Sequence, residues 1–180
     1  MRLLYTLFLS FSCAGLLGCM ENPESPGLCL DGNCDYYYWE GVEMGVQYEW
    51  DEYEMDSIAF YHTFSTGSNR VFAFEKKHHD NPAIADDELT EYFRFQVPMS
   101  SDDFIIETTE EMTEAQAAFV QSCYCFGPLV YAAQGRIEGE RISQNVFKVT
   151  VDVTYEIYEE VRTVNFSRRM RIQDTPDWIN

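Results

Sequence analysis

The clearest pattern in the chain is a strict alternation of apolar and polar residues near its C-terminus. From residue 147 to residue 157, every second side chain is apolar or aromatic, and the side chains between them are Lys, Thr, Asp or Glu. This period of two is typical of a β-strand that buries one face and exposes the other. Strand-like patterns also occupy residues 136–142 and 163–173, with a polar turn at 143–145. Together they predict an antiparallel meander of three strands.

Shorter segments upstream predict additional strands, and they cover residues 46–50, 58–64, 71–74, 92–97 and 104–106. The polar run at residues 65–69 is typical of a hairpin loop, and Pro98 ends the fourth segment. Only one segment predicts a helix, because Thr108 and Glu111 form a capping-box pair and apolar residues then recur at helical spacing. Many strands with one short helix near residues 109–121 predict an all-β, mainly antiparallel fold, either a β-sandwich or a partly closed barrel.

The first nineteen residues have a different character. A positive charge at Arg2 is followed by a short, mostly apolar run at residues 3–11 and then by Leu16-Leu17-Gly18-Cys19. The apolar run is too short for a stable membrane span. The order and spacing of these features resemble the signal peptide and lipobox of bacterial lipoproteins, with Cys19 at the invariant position. An ordinary signal peptide with an incidental cysteine is the alternative.

The resemblance to bacterial lipoproteins implies a domain organisation and a location. Residues 1–18 would be removed, and Cys19 would become the lipidated N-terminus. Residue 20 is Met and not Asp, which in the enterobacterial sorting scheme points to the outer membrane more than the inner one. Residues 19–28 then form a polar tether that contains two prolines, and residues 29–180 form a single β-rich domain. The membrane is therefore an expected partner through the lipid anchor.

Composition limits the partners that this domain can have. The chain has 180 residues, with 12 Lys and Arg against 31 Asp and Glu, and a formal net charge of −19. Such acidity excludes nucleic acid as an expected partner, since phosphate neutralisation needs clustered cations. Hydrophobic residues make up 46% of the chain and aromatic residues 16%, which is enough for one core despite the charge.

Four cysteines remain after removal of the signal and lipidation of Cys19, namely Cys29, Cys34, Cys123 and Cys125. An even number in an exported chain predicts two disulfides. A bond between the last two would be strained, because only one residue separates them. We therefore favour bonds from this pair back to the first two. The alternatives are a bond across each close pair, with an easily reduced second bond, or a four-thiolate zinc site.

Aromatic rings are concentrated between residues 36 and 53, beside several carboxylates. Flat rings next to carboxylates stack on sugars and accept hydrogen bonds from their hydroxyls, and Tyr and Trp also anchor protein interfaces. Half of the rings on an alternating strand face the core. The outward half are candidate ligand-binding residues, of which we favour Tyr37, Trp39 and Tyr53.

Two polar clusters contain residue types that bind metal ions. The candidate calcium ligands are Asp51, Glu52, Glu54 and Asp56, although they lack the order of an EF-hand, and the alternative is that these acids keep the surface charged. The pair His78-His79, followed by Asp80, offers zinc ligands without a known zinc spacing, so a solvated loop is favoured. No other cofactor is expected.

No motif of a known enzyme class occurs in the chain: GxSxG, HExxH, a phosphate-binding loop and a dinucleotide fingerprint are all missing. A non-enzymatic binding or envelope-assembly module with an acidic, aromatic-rich surface is therefore the favoured function, with a glycan or an envelope protein as partner. One alternative is a purely structural surface lipoprotein. Another is an envelope enzyme without a recognisable motif, either a glycan hydrolase using two carboxylates or a thiol-redox protein.

Overall fold

The computed structural model describes residues 28–51, 56–79, 89–122, 129–157 and 159–179. These residues form nine strands and one short helix, which confirms the all-β fold class. The elements are β1 (Gly32–Asp51), β2 (Asp56–His78), β3 (Thr90–Pro98), β4 (Asp103–Ile106), α1 (Thr109–Glu114), β5 (Ala118–Ser122), β6 (Val130–Tyr131), β7 (Gln134–Ser143), β8 (Val146–Ile157) and β9 (Glu160–Ile172).

All nine strands belong to one sheet, in the order β4-β7-β8-β9-β1-β2-β3-β5-β6. Neighbouring strands are antiparallel except β1 and β9, where Tyr37 and Tyr38 pair in parallel with Arg171 and Ile172. The predicted meander is confirmed as β7, β8 and β9, and burial along β8 alternates residue by residue. The sheet does not close, so β4 and β6 are its two edges.

The two halves of this sheet face each other across one core. The rings of Phe119 on β5 and Tyr155 on β8 stack with centroids 4.4 Å apart, although four strands separate β5 from β8 in the sheet order. Phe72 on β2 and Phe147 on β8 make an edge contact at 5.3 Å. One folded sheet therefore forms a β-sandwich, and its inner face carries the fully buried residues Tyr38, Phe72, Phe93, Phe95, Phe147, Phe166 and Met170.

The long β1–β2 ribbon bends near its middle. Val42 pairs with both Thr66 and Asn69, so extra residues of β2 form a bulge, and Gly41 takes a positive φ of 71° beside it. The prediction of a hairpin loop at residues 65–69 is therefore wrong. The polar residues at 65–69 are compatible with a bulge as well as with a loop. Pairing with β1 determines that a bulge forms.

Beyond the bend, residues 42–51 and 56–66 form a segment that we call the distal ribbon. The side chain of Gln96 on β3 forms two hydrogen bonds with the backbone of Met44. The Met44 N–H donates to Gln96 Oε1 at 2.8 Å, and Gln96 Nε2 donates to the Met44 carbonyl oxygen at 3.0 Å. The N–H of Leu129 donates to the carbonyl of Ala59 at 3.0 Å. Gln96 points away from the inner core, since it alternates with Phe95. The distal ribbon therefore covers the outer face of β3 and β5 as a second layer.

The helix is shorter than the sequence pattern indicates. Its capping box is present, with Thr108 Oγ1 accepting from the Glu111 N–H at 3.2 Å and the Glu111 carboxylate accepting from the Thr108 N–H at 3.0 Å. The helix ends at Glu114, and Gln116 has a positive φ of 50°. The apolar residues that follow belong to β5, because they pair with β3.

Cys29 and Cys34 form a disulfide with their Cα atoms 5.9 Å apart. The favoured pairing of these two cysteines with Cys123 and Cys125 is therefore wrong, and the four-thiolate zinc site is wrong for the same reason. A turn at residues 28–31 brings the first pair together within the chain itself. Closing so short a loop contributes about 2 kcal/mol on the chain-entropy model. Cys19, Cys123 and Cys125 lie outside the described residues.

Candidate functional site at the open seam of the sheet

The predicted ligand-binding rings are not an open surface. Tyr37 and Trp39 point away from the inner core as their alternation predicts, but they are only 6% and 5% exposed. The distal ribbon places Phe64 over Trp39 with centroids 5.8 Å apart, and the C-terminal segment adds Trp178 and Ile179. The prediction that these two rings are exposed is wrong, because a second layer covers the outer face. Tyr53 lies outside the described residues.

Several polar and charged groups lie on the outer face of β1, β2 and β3, next to the distal ribbon. The Tyr37 hydroxyl donates to Glu75 Oε2 at 2.8 Å, and burial raises the pKa of Tyr37 far above its usual range. The Arg94 guanidinium stacks 3.9 Å from the centroid of the Tyr92 ring and 5.3 Å from that of Phe64. Burial lowers the pKa of Arg94. The contact between Arg94 and Phe64 joins β3 to the distal ribbon.

Most of the candidate metal residues cannot be placed from the described part of the chain. The side chains of Asp51 and Asp56, and residues 52–55 entirely, lie outside the described residues, so the calcium site stays a prediction. His78 contacts two carboxylates, with Nε2 2.9 Å from Glu91 Oε2 and Nδ1 3.4 Å from Asp31 Oδ2. Within the described part of the chain, no three His, Cys, Asp or Glu side chains are arranged to hold a metal ion.

A gap lies between β3 and β4, which we call the seam, and it borders a cleft. β4 is an edge strand, and past Arg94 strand β3 no longer pairs with β5. On the inner side, the Phe104 ring bridges the seam, with centroids 5.3 Å from Phe72 and 5.8 Å from Phe95. The ring lies over Gly139 on β7, where a Cβ would collide with it. Aromatic rings therefore close the seam on the side that faces the core, and the opposite side of the seam is open.

Two clefts flank β4. The first, of about 510 Å³, lies along the seam between β3, β4 and α1, and its polar lining includes Glu43, Gln96, Glu111, Glu114 and Gln116. The second, of about 490 Å³, lies on the outer face of β4, β7 and β8, and its polar lining includes Asp103, Glu138, Glu140, Lys148 and Thr150. Phe104 and Ile105 line both clefts, so β4 is the wall between them. Ile105 is 55% exposed.

Carboxylates dominate the charge around β4. Lys148 is the sole cation among the described residues that line either cleft. The nearest arginines already have partners: Arg141 pairs with Asp102 at 2.7 Å and Arg136 pairs with Glu138. Over the described ranges, Asp103, Glu114 and Glu140 form no ion pair within 4.0 Å. The clefts can therefore attract a cation without first breaking an internal salt bridge.

Sequence reasoning missed this region, although it predicted a strand at residues 104–106 and a helix start at Thr108. This region is identified by the order of strands in the sheet, which places β4 at an edge. Edge position depends on contacts between distant segments, and no local pattern encodes it.

No helix in the described ranges is long and apolar enough to cross a bilayer. No protein-family model matches the sequence, and searches of curated proteins and of solved structures return no match to it.

Proposed function

We propose that this protein is an exported, lipid-anchored, non-enzymatic binding module that captures a basic segment of an envelope protein in the two clefts beside β4. The observation that carries the proposal is the excess of unpaired carboxylates, Asp103, Glu114 and Glu140, around an exposed edge strand. Positive side chains in a partner complement this charge, which favours fast association and selects against acidic partners.

The anchor part of the proposal rests on the resemblance of residues 1–19 to a lipoprotein signal. If residues 19–28 are a tether, a rise of at most about 3.1 Å per residue would limit its reach to roughly 30 Å from the membrane surface. Several acyl chains on Cys19 would make the attachment durable.

The experiment removes charge from the clefts and, separately, from a remote surface. The cleft variant is Asp103→Asn with Glu114→Gln, and the matched control is Asp35→Asn with Glu156→Gln, two exposed acids on β1 and β8 that line neither cleft. Both variants have the same net charge. The probe is a fluorescent oligolysine peptide, and its binding to the full chain in detergent is followed by anisotropy.

We expect the cleft variant to lose about tenfold in affinity, equivalent to about 1.4 kcal/mol, and the control to lose less than about twofold. Losses of the same size in both variants would show that the peptide responds only to net charge. In that case the proposal that the clefts form the binding surface fails.

A further inference from the structure

We propose that the partner segment binds as an added β-strand on the free edge of β4. This inference rests on the function proposed above and names the form of the partner: an extended peptide in which basic and apolar residues alternate. Strand addition supplies affinity through backbone hydrogen bonds, and pockets on either side of the edge strand supply specificity.

The hydrogen-bond register shows which backbone groups of β4 are free. The Arg141 N–H donates to the Asp102 carbonyl at 3.0 Å, immediately before β4, and Asp103 lies opposite Glu140 in the register. In an antiparallel ladder, residues that bond to the neighbouring strand alternate with residues whose N–H and C=O point away from it. The N–H and C=O groups of Asp103 and Ile105 therefore point outward, away from β7.

These outward groups have no partner strand among the described residues. β4 has β7 as its sole neighbour in the sheet, whereas the opposite edge, β6, adjoins a segment in which the Ala133 N–H donates to Thr154 of β8 at 2.8 Å. Pro98 ends β3 on the far side of the seam and has no N–H to offer. The free edge of β4 can therefore accept one extended chain without displacing a native strand.

The side chains around this edge specify the chemistry of the added strand. Successive residues of such a strand point to opposite faces of the sheet. On one face they meet the seam cleft with Glu114, and on the other they meet exposed Ile105 together with Asp103. Natural sheets commonly protect an edge with charged side chains, and β4 carries one acid, Asp103, beside the exposed Ile105. The surroundings fit lysine or arginine alternating with a β-branched residue.

The test separates backbone pairing from simple charge attraction. The probe is a fluorescent peptide of about six residues, the usual length of a strand, with Lys and Val alternating. Ile105→Pro removes the outward N–H and leaves the β4–β7 ladder intact, since proline is accepted on an edge strand when its nitrogen faces solvent. Ile105→Val keeps the N–H and is the matched control. Circular dichroism and the melting temperature establish that each full-length variant is folded.

We expect Ile105→Pro to weaken binding of the Lys/Val peptide by at least about tenfold and Ile105→Val by less than about twofold. N-methylation of alternate peptide residues should weaken binding by a similar factor. This second experiment uses the unaltered protein. Unchanged binding in both experiments would overturn strand addition.

The outcomes also separate this inference from the proposed function. Binding that survives Ile105→Pro and peptide N-methylation, but falls in the Asp103→Asn, Glu114→Gln variant, would leave the acidic clefts as a binding surface and reject strand addition. Binding that responds to none of these changes would reject both.

Discussion

His62 shows how one buried residue can make stability depend on pH. It lies on β2 in the distal ribbon, 5% exposed, with the Phe64 ring 6.3 Å away. Burial and the positive charge of Arg94 lower the pKa of His62 from 6.5 to about 3, and the backbone of Gln116 opposes this only in part. The imidazole therefore stays neutral in the folded protein throughout the physiological range.

We expect the free energy of unfolding to fall as the pH decreases from 6.5 towards 3, partly because of His62. In this window the unfolded chain binds a proton at His62 and the folded chain does not, so protons favour unfolding by up to about 1.4 kcal/mol per pH unit. His62→Phe should remove this contribution. Urea unfolding at several pH values measures it, with His79→Gln at an exposed site as the control. Parallel pH profiles for His62→Phe and the unaltered protein would contradict the prediction.

At the scale of single elements, docking of the distal ribbon depends on Gln96. Its side chain is 6% exposed and hydrogen-bonds to both the N–H and the C=O of Met44. An unsatisfied buried N–H or C=O costs about 1–3 kcal/mol. This single side chain therefore substitutes for a stretch of strand pairing between the two layers.

We expect Gln96→Leu to lower the free energy of unfolding by about 2–4 kcal/mol, because it leaves two buried backbone groups of Met44 without a partner. Amide hydrogen exchange at Met44 should become faster at the same time. Gln47→Leu, at an exposed position on β1, is the control and should change stability by less than about 0.5 kcal/mol. A Gln96→Leu protein as stable as the unaltered one, with slow exchange at Met44, would be inconsistent with this role.

The elements differ in how well the sequence predicts them, and the cause is physical. Val149, Val151 and Val153 on β8 alternate with polar residues, so burial of one face alone determines the strand. Phe119 is different, because its spacing from Met112 fits a helix and its alternation with neighbouring residues also fits a strand. Pairing with Phe93 on β3 decides in favour of the strand, and that contact is not local. The bulge near Val42 and the cover over Trp39 depend on distant segments in the same way.

At the scale of the whole molecule, the candidate site arises from topology. Asp103 and Ile105 belong to a strand of four residues whose only special property is its place at the end of the sheet. Composition predicted an acidic surface, and the net charge of −19 agrees with carboxylates that lack cations. Composition did not predict which carboxylates lie beside a free strand edge, because the order of strands in the sheet is set by the combined packing of all strands.

The last prediction concerns the proposed lipid anchor and the location of the whole molecule. If Cys19 is the modified residue, radiolabelled palmitate should label the protein in living bacteria, and the protein should fractionate with membranes. Cys19→Ser should abolish both, because a chain without acyl groups loses the hydrophobic contribution of about 0.8 kcal/mol per buried CH₂. Cys13→Ser is the matched control, since Cys13 lies within the signal and should be dispensable for labelling. Labelling that persists in Cys19→Ser, or that disappears in Cys13→Ser, would place the modification elsewhere and remove the basis for a membrane-anchored binding module.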